Sequence, residues 1–316
     1  MPGVHRTRVG AASPKQEVPA PDERVRHHER KRTLIQLATA ALTNGYVIGF
    51  AEGKVFGGAT KAACVPWLNC YSCPGALGSC PVGALQTVLG GRGRSFSFYV
   101  LGLLVLFGVV LGRLVCGFCC PFGFVQDLLH RIPVPKLRVP HRLDRALRWL
   151  KYVVAVVLVV ALPLVAKGDM GQAPPFFCAY LCPAGTLEGA LPLMVASPQL
   201  RALVGFVFSW KMVVLVCVVV ASMLVRRPFC RYLCPLGAFY GLFHRVSLYQ
   251  MRLDATACVG CHRCEKVCPM GLDPERELNG PECIRCGACK ATCSTTAISS
   301  GWELRAREAL ASAPAQ

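Results

Sequence analysis

Acidic side chains are scarce in this 316-residue chain: 17 Asp and Glu stand against 35 Lys and Arg, and charged residues of both signs make up 16% of the sequence. With 53% hydrophobic residues, the chain lacks the polar sequence to cover its apolar runs in water. That excludes a wholly soluble globule. A cleavable leader is also not expected, because polar, basic sequence precedes the first apolar run and no small-residue cleavage site follows it. Nor does any catalytic acid, base or nucleophile stand out, so the chemistry has to come from bound groups.

Four apolar runs are expected to span a membrane: Thr33 to Phe50, Phe96 to Gly112, Leu150 to Ala166 and Val207 to Val225. Each is close to the ~20 residues that ~1.5 Å of rise per residue requires for a ~30 Å hydrocarbon core. The first is the weakest, carrying Gln36 and Asn44. The segment before it, rich in Pro, Arg and His, reads as a solvated, disordered arm over residues 1–32.

The net charge of +18 could suggest nucleic acid, but its placement argues otherwise. With the N-terminus inside, the inward segments carry 28 Lys and Arg and the outward loops six (Lys54, Lys61, Arg92, Arg94, Lys167 and Arg201). Lys211 lies near an outer helix end, where it can snorkel. This is the positive-inside pattern. It excludes nucleic acid as a partner and leaves both termini cytoplasmic, in the inner membrane of a prokaryotic cell.

What the chain has in excess is cysteine, twenty in all. Eight close the sequence as Cys258-Val-Gly-Cys261-His-Arg-Cys264-Glu-Lys-Val-Cys268-Pro and Cys283-Ile-Arg-Cys286-Gly-Ala-Cys289-Lys-Ala-Thr-Cys293. This doubled C-x2-C-x2-C-x3-C spacing is the ligand pattern of a two-cluster ferredoxin, in which the fourth ligand of each 4Fe-4S cluster comes from the other repeat. Cys258, Cys261, Cys264 and Cys293 are then one set, and Cys283, Cys286, Cys289 and Cys268 the other. Structural zinc prefers two knuckles of paired cysteines, and a disulfide framework needs an oxidising compartment; neither explains the triple spacing. Ser294 stands after Cys293 where the first repeat has Pro269.

A shorter signature follows each apolar run: Cys80-Pro-Val-Gly-Ala-Leu-Gln, Cys120-Pro-Phe-Gly-Phe-Val-Gln, Cys182-Pro-Ala-Gly-Thr-Leu-Glu and Cys234-Pro-Leu-Gly-Ala-Phe-Tyr. Three have a second cysteine four residues earlier, at Cys116, Cys178 and Cys230. Proline suits the first position of a helix, so each preceding cysteine is expected to cap a helix whose free N–H groups and dipole favour a thiolate or an anionic cluster. Alternation across the membrane gathers Cys116, Cys120, Cys230 and Cys234 at the inner face as one cluster site. Arg113, Arg226, Arg227 and Arg231 crowd that site and would raise its potential.

At the outer face, Cys178 and Cys182 meet Cys64, Cys70, Cys73 and Cys80. The repeat favours Cys73, Cys80, Cys178 and Cys182 as ligands of a fourth cluster, with Cys70 as a substitute for Cys73 or Cys80; disulfides are the alternative. Cys119 reads as a spare thiol and Cys217 as a small hydrophobe. Trp67, Trp149 and Trp210 read as interfacial anchors. Asp127 with His130, and Glu188, are candidates for taking protons from a quinol, against the commoner reading as solvated polar groups.

On these motifs the chain resembles the NapH, MauN and NosR group of membrane polyferredoxins. The match covers residues 96–295 and rests on Cys116 with Cys120, Cys230 with Cys234, and the eight tail cysteines. The resemblance implies electron transfer between the quinone pool and a partner redox enzyme. The outer-face cysteine motifs depart from that pattern and point to a transmembrane wire.

The expected fold is mainly α: a four-helix transmembrane bundle over 33–250, then a small α+β two-cluster ferredoxin-like domain over 251–300, with a tail over 301–316. The expected function is an integral membrane iron-sulfur protein, an oxidoreductase component passing electrons between the outer face and a cytoplasmic redox partner protein. Two alternatives stay open: a NapH-like quinol dehydrogenase subunit with its outer cysteines in disulfides, and a non-catalytic redox sensor or metal-handling membrane protein.

Overall fold

The computed structural model describes residues 23–91, 98–137, 139–166, 172–202 and 204–302. The arm expected up to residue 22, Phe96 at the start of the second apolar run, the cations Arg92, Arg94 and Lys167, and the tail from 303 lie outside the described residues.

The chain is mainly helical and finishes in a two-stranded sheet. Helix α1 (Glu23–Thr43) begins well before Thr33, and this corrects both the arm and the first span. Residues 23–32 are helical and docked: His28 Nε2 lies 2.7 Å from the Cys286 carbonyl, and Arg32 pairs with Asp127 at 2.9 Å. The helix stops at Asn44, whose Nδ2 donates to the Ala40 carbonyl at 3.2 Å and to Asn69 Oδ1 at 2.9 Å. Such a side chain competes with the helical backbone, and the chain restarts only as the short turn Ile48–Glu52.

Helices α2 (Pro81–Leu89) and α3 (Phe98–Val110) follow. At 13 residues α3 is ~20 Å long, short of the ~30 Å a span needs. It ends at Gly112, φ +57°, where a Cβ would stand 2.4 Å from Arg285 Nη1. After α4 (Pro121–Leu129) come α5 (His141–Val165) and α7 (Phe206–Leu224), with the shorter apolar α6 (Gly185–Ala196) between them. Among the described residues, α5 and α7 alone are long and apolar enough to cross a membrane; these are two of the four expected spans. Both present bare apolar side chains outward, with Phe206 82% and Val165 80% exposed. Helix α8 (Pro235–Leu242) closes the helical part.

One packed core contains Cys80, Cys182, Cys120 and Cys234 together with Phe122, Phe177, Phe229 and Tyr240. All four Cys-Pro elements therefore converge on the interior of a single bundle.

In the tail, β1 (Tyr249–Leu253) pairs antiparallel with β2 (Ile298–Trp302), Tyr249 opposite Trp302 and Leu253 opposite Ile298. The short helices Arg263–Val267 and Ala288–Thr292 lie between, each running into the last cysteine of its repeat. The small α+β ferredoxin-like unit is thus present, closed by a strand that starts at Tyr249.

Buried ion pairs fix the tail to the helices. Glu282 accepts from Arg113 at 3.2 Å and also pairs with Lys151. Arg285 donates to Ser247 Oγ and to the His244 carbonyl, and Arg148 reaches both Asp144 (2.6 Å) and Glu277 (3.4 Å). Lys151 and Arg113 are 0% and 2% exposed, so these charges are compensated by pairing and not by water.

Candidate functional site

The tail brings its eight cysteines together in two groups. One small pocket is lined by Cys258, Cys261, Cys264 and Cys293. A second is lined by Cys268, Cys283, Cys286 and Cys289. These are the two crossed sets that the repeat spacing predicts.

Backbone geometry explains how the loops wrap. In the first repeat Gly260 and His262 flank Cys261 with φ of +64° and +52°; in the second, Arg285 and Gly287 flank Cys286 with φ of +50° and +75°. Left-handed residues on both sides of the middle cysteine turn the three thiols toward one side. Each repeat supplies one glycine and one ordinary residue, and the latter holds a conformation that side chains with a Cβ rarely adopt.

The donor set suits a multi-iron core. Among the described residues no three His, Cys, Asp or Glu side chains converge closely enough to chelate a single metal ion; the thiols ring cavities instead. Burial first, then the neighbouring Cys286, pushes the Cys268 thiol up to about 11. Four thiolates packed this way repel one another until cations sit among them, and metal binding then releases their protons.

The expected inner set also assembles. Cys230 and Cys116 are within electrostatic range of Cys120 and Cys234, and Cys120, Cys230 and Cys234 are buried. Cys120 and Cys234 each cap a helix with proline at its start, and each Sγ accepts from the glycine N–H three residues on, at 3.4 Å. Cys116 packs against the core of the bundle and against that of the second tail cavity. A Cβ added at Gly117 would lie 3.3 Å from Cys286 Cβ, so the inner set and that tail cavity are immediate neighbours.

The four arginines expected around this set are present and paired with carboxylates, but Asp127, Glu282 and Asp144 are shared with Arg32, Lys151 and Arg148, so positive charge stays in excess. Arg227 binds Asp127 at 2.6 Å, Arg113 binds Glu282, and Arg231 binds Asp144 at 2.6 Å. Arg226 stands farther from Asp127, at 3.7 Å.

At the outer set the structure departs from the first-choice ligands. The thiols acting on both Cys178 and Cys182 are Cys70 and Cys80, and a Cβ at Gly185 would lie 3.7 Å from the Sγ atoms of Cys182 and of Cys70. Cys73 instead closes the turn that begins at Cys70, its N–H donating to the Cys70 carbonyl at 3.0 Å. The candidate quartet that these contacts favour is Cys70, Cys80, Cys178 and Cys182, with Cys70 in the place given first to Cys73. The Cys70 N–H donates to Glu188 Oε2 at 3.0 Å, which pins the loop. Cys64 lies farther out, bridging to Ser79. All twenty cysteines are unpaired thiols.

Two glutamines, not singled out from the sequence, play the same part in both quartets. Gln126 Nε2 donates to Cys230 Sγ at 3.0 Å while its Oε1 accepts from the Phe229 N–H at 3.2 Å. Gln86 Nε2 donates to Cys178 Sγ at 3.4 Å while its Oε1 accepts from the Phe177 N–H at 2.9 Å. Both stand six residues after a Cys-Pro cysteine; that shared position was the available signal.

The remaining candidates separate. Asp127 is engaged by Arg32 and Arg227; burial would raise its carboxyl, but Arg227, Arg32 and Arg226 outweigh it and hold the group at about 2. That removes it as a proton acceptor near neutral pH, and His130 is turned to the Ser222 carbonyl at 3.3 Å. Glu188 is raised by burial to about 7. Cys119 lies outside the inner quartet, its carbonyl accepting from Thr39, and Cys217 is exposed on α7. Trp67 packs against the core, whereas Trp149 and Trp210 are exposed.

Comparison with known proteins places the chain in a family. The 4Fe-4S binding domain family matches residues 96–140, 149–191 and 206–253, and a second 4Fe-4S binding domain family matches 251–272. An uncharacterized protein of Methanocaldococcus jannaschii is 31% identical over 210 residues, 66% of this chain and 79% of that protein. Protein NirI of Paracoccus denitrificans is 28% identical over 72% of this chain and 33% of its own length. The methylamine utilization ferredoxin-type protein MauN of the same organism is 30% identical over 60% of each chain. No solved structure gives a significant match. With two thiol quartets in the tail and two more between the helices, the chain belongs to the membrane-associated 4Fe-4S polyferredoxins of the NapH, MauN and NosR type, ferredoxin-type electron-transfer proteins.

Proposed function

We propose that this protein is an integral membrane electron wire with four 4Fe-4S clusters, running from an outer-side quartet through the inner quartet to the two tail sites and on to a cytoplasmic redox partner. The observation that carries this reading is the equivalence of the two helical quartets. Cys80 with Cys178 and Cys182 repeats Cys120 with Cys230 and Cys234, down to the glutamine that holds one thiol and the neighbouring backbone N–H.

The ligands in this reading are Cys258, Cys261, Cys264 and Cys293; Cys268, Cys283, Cys286 and Cys289; Cys116, Cys120, Cys230 and Cys234; and Cys70, Cys80, Cys178 and Cys182. When bound, a 4Fe-4S cluster supplies a one-electron couple. The protein's own work is positioning. Cys-Pro helix starts turn N–H groups toward the thiols, glutamine amides hydrogen-bond to sulfur, and the packed core excludes water, each of which sets potential. Cys261 and Val259 are exposed, which makes the first tail site the end that meets a soluble partner.

The domain reading is a helical part ending near residue 248, then a ferredoxin unit. Spans over 33–50 and 96–112 would complete the expected four-helix bundle, with both termini cytoplasmic in the inner membrane of a prokaryote. Quinone is the candidate membrane-side donor.

Iron and sulfide counts on anaerobically purified protein, with an EPR-monitored redox titration with and without a menaquinol analogue, test the reading. Sixteen irons and four clusters per chain are expected from four quartets of [4Fe-4S] ligands. Three clusters with oxidised outer cysteines would make it a NapH-like quinol dehydrogenase subunit. Clusters that neither accept electrons from quinol nor pass them to any soluble acceptor would make it a sensor.

A further inference from the structure

Six residues after each Cys-Pro cysteine stand Gln86, Gln126, Glu188 and Tyr240. The glutamines reach thiols and Glu188 reaches the backbone of Cys70. Tyr240 is the exception, the one aromatic group of the four, and it is 0% exposed.

Its attachment points face opposite ways. Its backbone lies on α8, capped at its start by Cys234 of the inner quartet; six residues of helix carry it ~9 Å from that cap. Its hydroxyl donates to the Pro66 carbonyl at 3.0 Å, in the loop that leads from Cys64 to Cys70 of the outer quartet. The ring shares one packed core with Cys120 and Cys234 of the inner quartet and Cys80 and Cys182 of the outer one. Cys116, Cys234 and Cys120, and also Cys80, are all within electrostatic range of its phenol.

We propose that Tyr240 is the bridge through which electrons tunnel between the inner and outer quartets. This rests on the proposed presence of clusters in both. Tunnelling falls steeply with distance and decays less through bonded atoms than through gaps, and Tyr240 offers a bonded route from the Cys234 helix to the outer loop, completed by one hydrogen bond. One electron leaves the reduced 4Fe-4S cluster of one quartet and reduces the oxidised cluster of the other. Tyr240 stays neutral and keeps its proton, which its carbonyl partner has no capacity to accept; no bond forms or breaks.

A buried tyrosine with a satisfied hydroxyl is also ordinary packing, and the test has to separate the two. In full-length, anaerobically purified protein, the tail is reduced by a flash of photoreductant and the arrival of electrons at each helical quartet is followed by freeze-quench EPR. Y240F keeps the ring but loses the hydrogen bond to Pro66, and is expected to transfer more slowly than wild type and faster than Y240L. Y240L removes the ring and is expected to keep four clusters at unchanged potentials while transfer slows severalfold or more. Y240L at the wild-type rate, or Y240F as slow as Y240L, overturns the bridge. The wild-type protein supplies a check that needs no variant: with both helical clusters paramagnetic, their EPR signals should show mutual dipolar broadening. Unbroadened signals would put the quartets too far apart for one side chain to join, and would overturn the proposal even if Y240L fails to assemble. Three clusters in the wild type would instead overturn the proposed function, independently of Tyr240.

Discussion

Gln126 donates a hydrogen bond from Nε2 to the Sγ of Cys230 across 3.0 Å, inside a core that excludes water. A donor aimed at sulfur stabilises the reduced, more negative state of a bound cluster and raises its potential. Replacing Gln126 with Leu removes that donor and leaves the Phe229 N–H without its acceptor. With about 1 kcal/mol for a typical hydrogen bond and 59 mV per tenfold change for one electron, Q126L should lower the inner potential by roughly 40 mV. Q86L should lower the outer one by less, because its contact is longer, at 3.4 Å. An EPR-monitored titration of each variant reads both; unchanged potentials would remove the glutamines from the electronic role.

The outer quartet makes a prediction about two neighbouring cysteines. Cys70→Ser should remove one cluster, four irons, while Cys73→Ser, Cys119→Ser and Cys217→Ser should each leave the full complement. Iron and sulfide analysis distinguishes these outcomes, and loss of a cluster in C73S alone would restore the ligand set favoured by the repeat.

In the tail, the crossed arrangement assigns each final cysteine to the other repeat's site. Cys268→Ser should disturb the site lined by Cys283, Cys286 and Cys289, the one beside Cys116, and so uncouple the tail from the helices. Cys293→Ser should disturb the exposed site lined by Cys258, Cys261 and Cys264 and affect reduction of soluble acceptors first. Stopped-flow reduction from each end, compared between the two variants, should give opposite patterns.

Asp127 holds Arg32 and Arg227, and Arg227 is 0% exposed. Asp127→Asn leaves that guanidinium buried without a counter-charge, a change that costs about 3–5 kcal/mol in comparable settings. The expected outcome is a lowered thermal midpoint at pH 7 in detergent. Because the arginines outweigh burial and hold the Asp127 carboxyl at about 2, below the ordinary value of about 3.9, its stabilisation is complete above the ordinary value and is lost as pH falls toward 2. The difference between wild type and D127N should therefore stay constant from pH 5 to pH 8 and shrink in strong acid; a difference that varied around neutrality would point to another group.

The tail was legible because its constraint is local: three thiols two residues apart can serve one site only by wrapping, and the fourth position in each repeat then faces the other loop. The Cys-Pro elements were legible for a similar reason, since proline after cysteine marks a helix start at Cys80, Cys120 and Cys234. The choice between Cys70 and Cys73 was not, because neither keeps the four-residue spacing of the other Cys-Pro elements and only the path of the loop, pinned by Glu188 from a distant helix, decides which thiol turns inward. Hydropathy also did not show where the apolar helices break. A window average passes over Asn44, which ends α1, and over Gly112 after the short α3. The scarcity of acidic residues was plain in the composition; that Asp127, Asp144 and Glu282 are each placed against buried arginines is long-range information that no segment of the sequence contains.

Lys151 sits at 0% exposure within the apolar α5, and its buried carboxylate partner Glu282 arrives 131 residues later in the chain. Until the tail has been made and folded around its cysteines, α5 carries an ammonium with no counter-charge into the bundle, and Arg113 is in the same position. Final packing of the two halves is thus coupled: the helices cannot reach it ahead of the tail, and a truncated chain ending before Glu282 should be a substrate for membrane quality control and not a smaller version of the same machine.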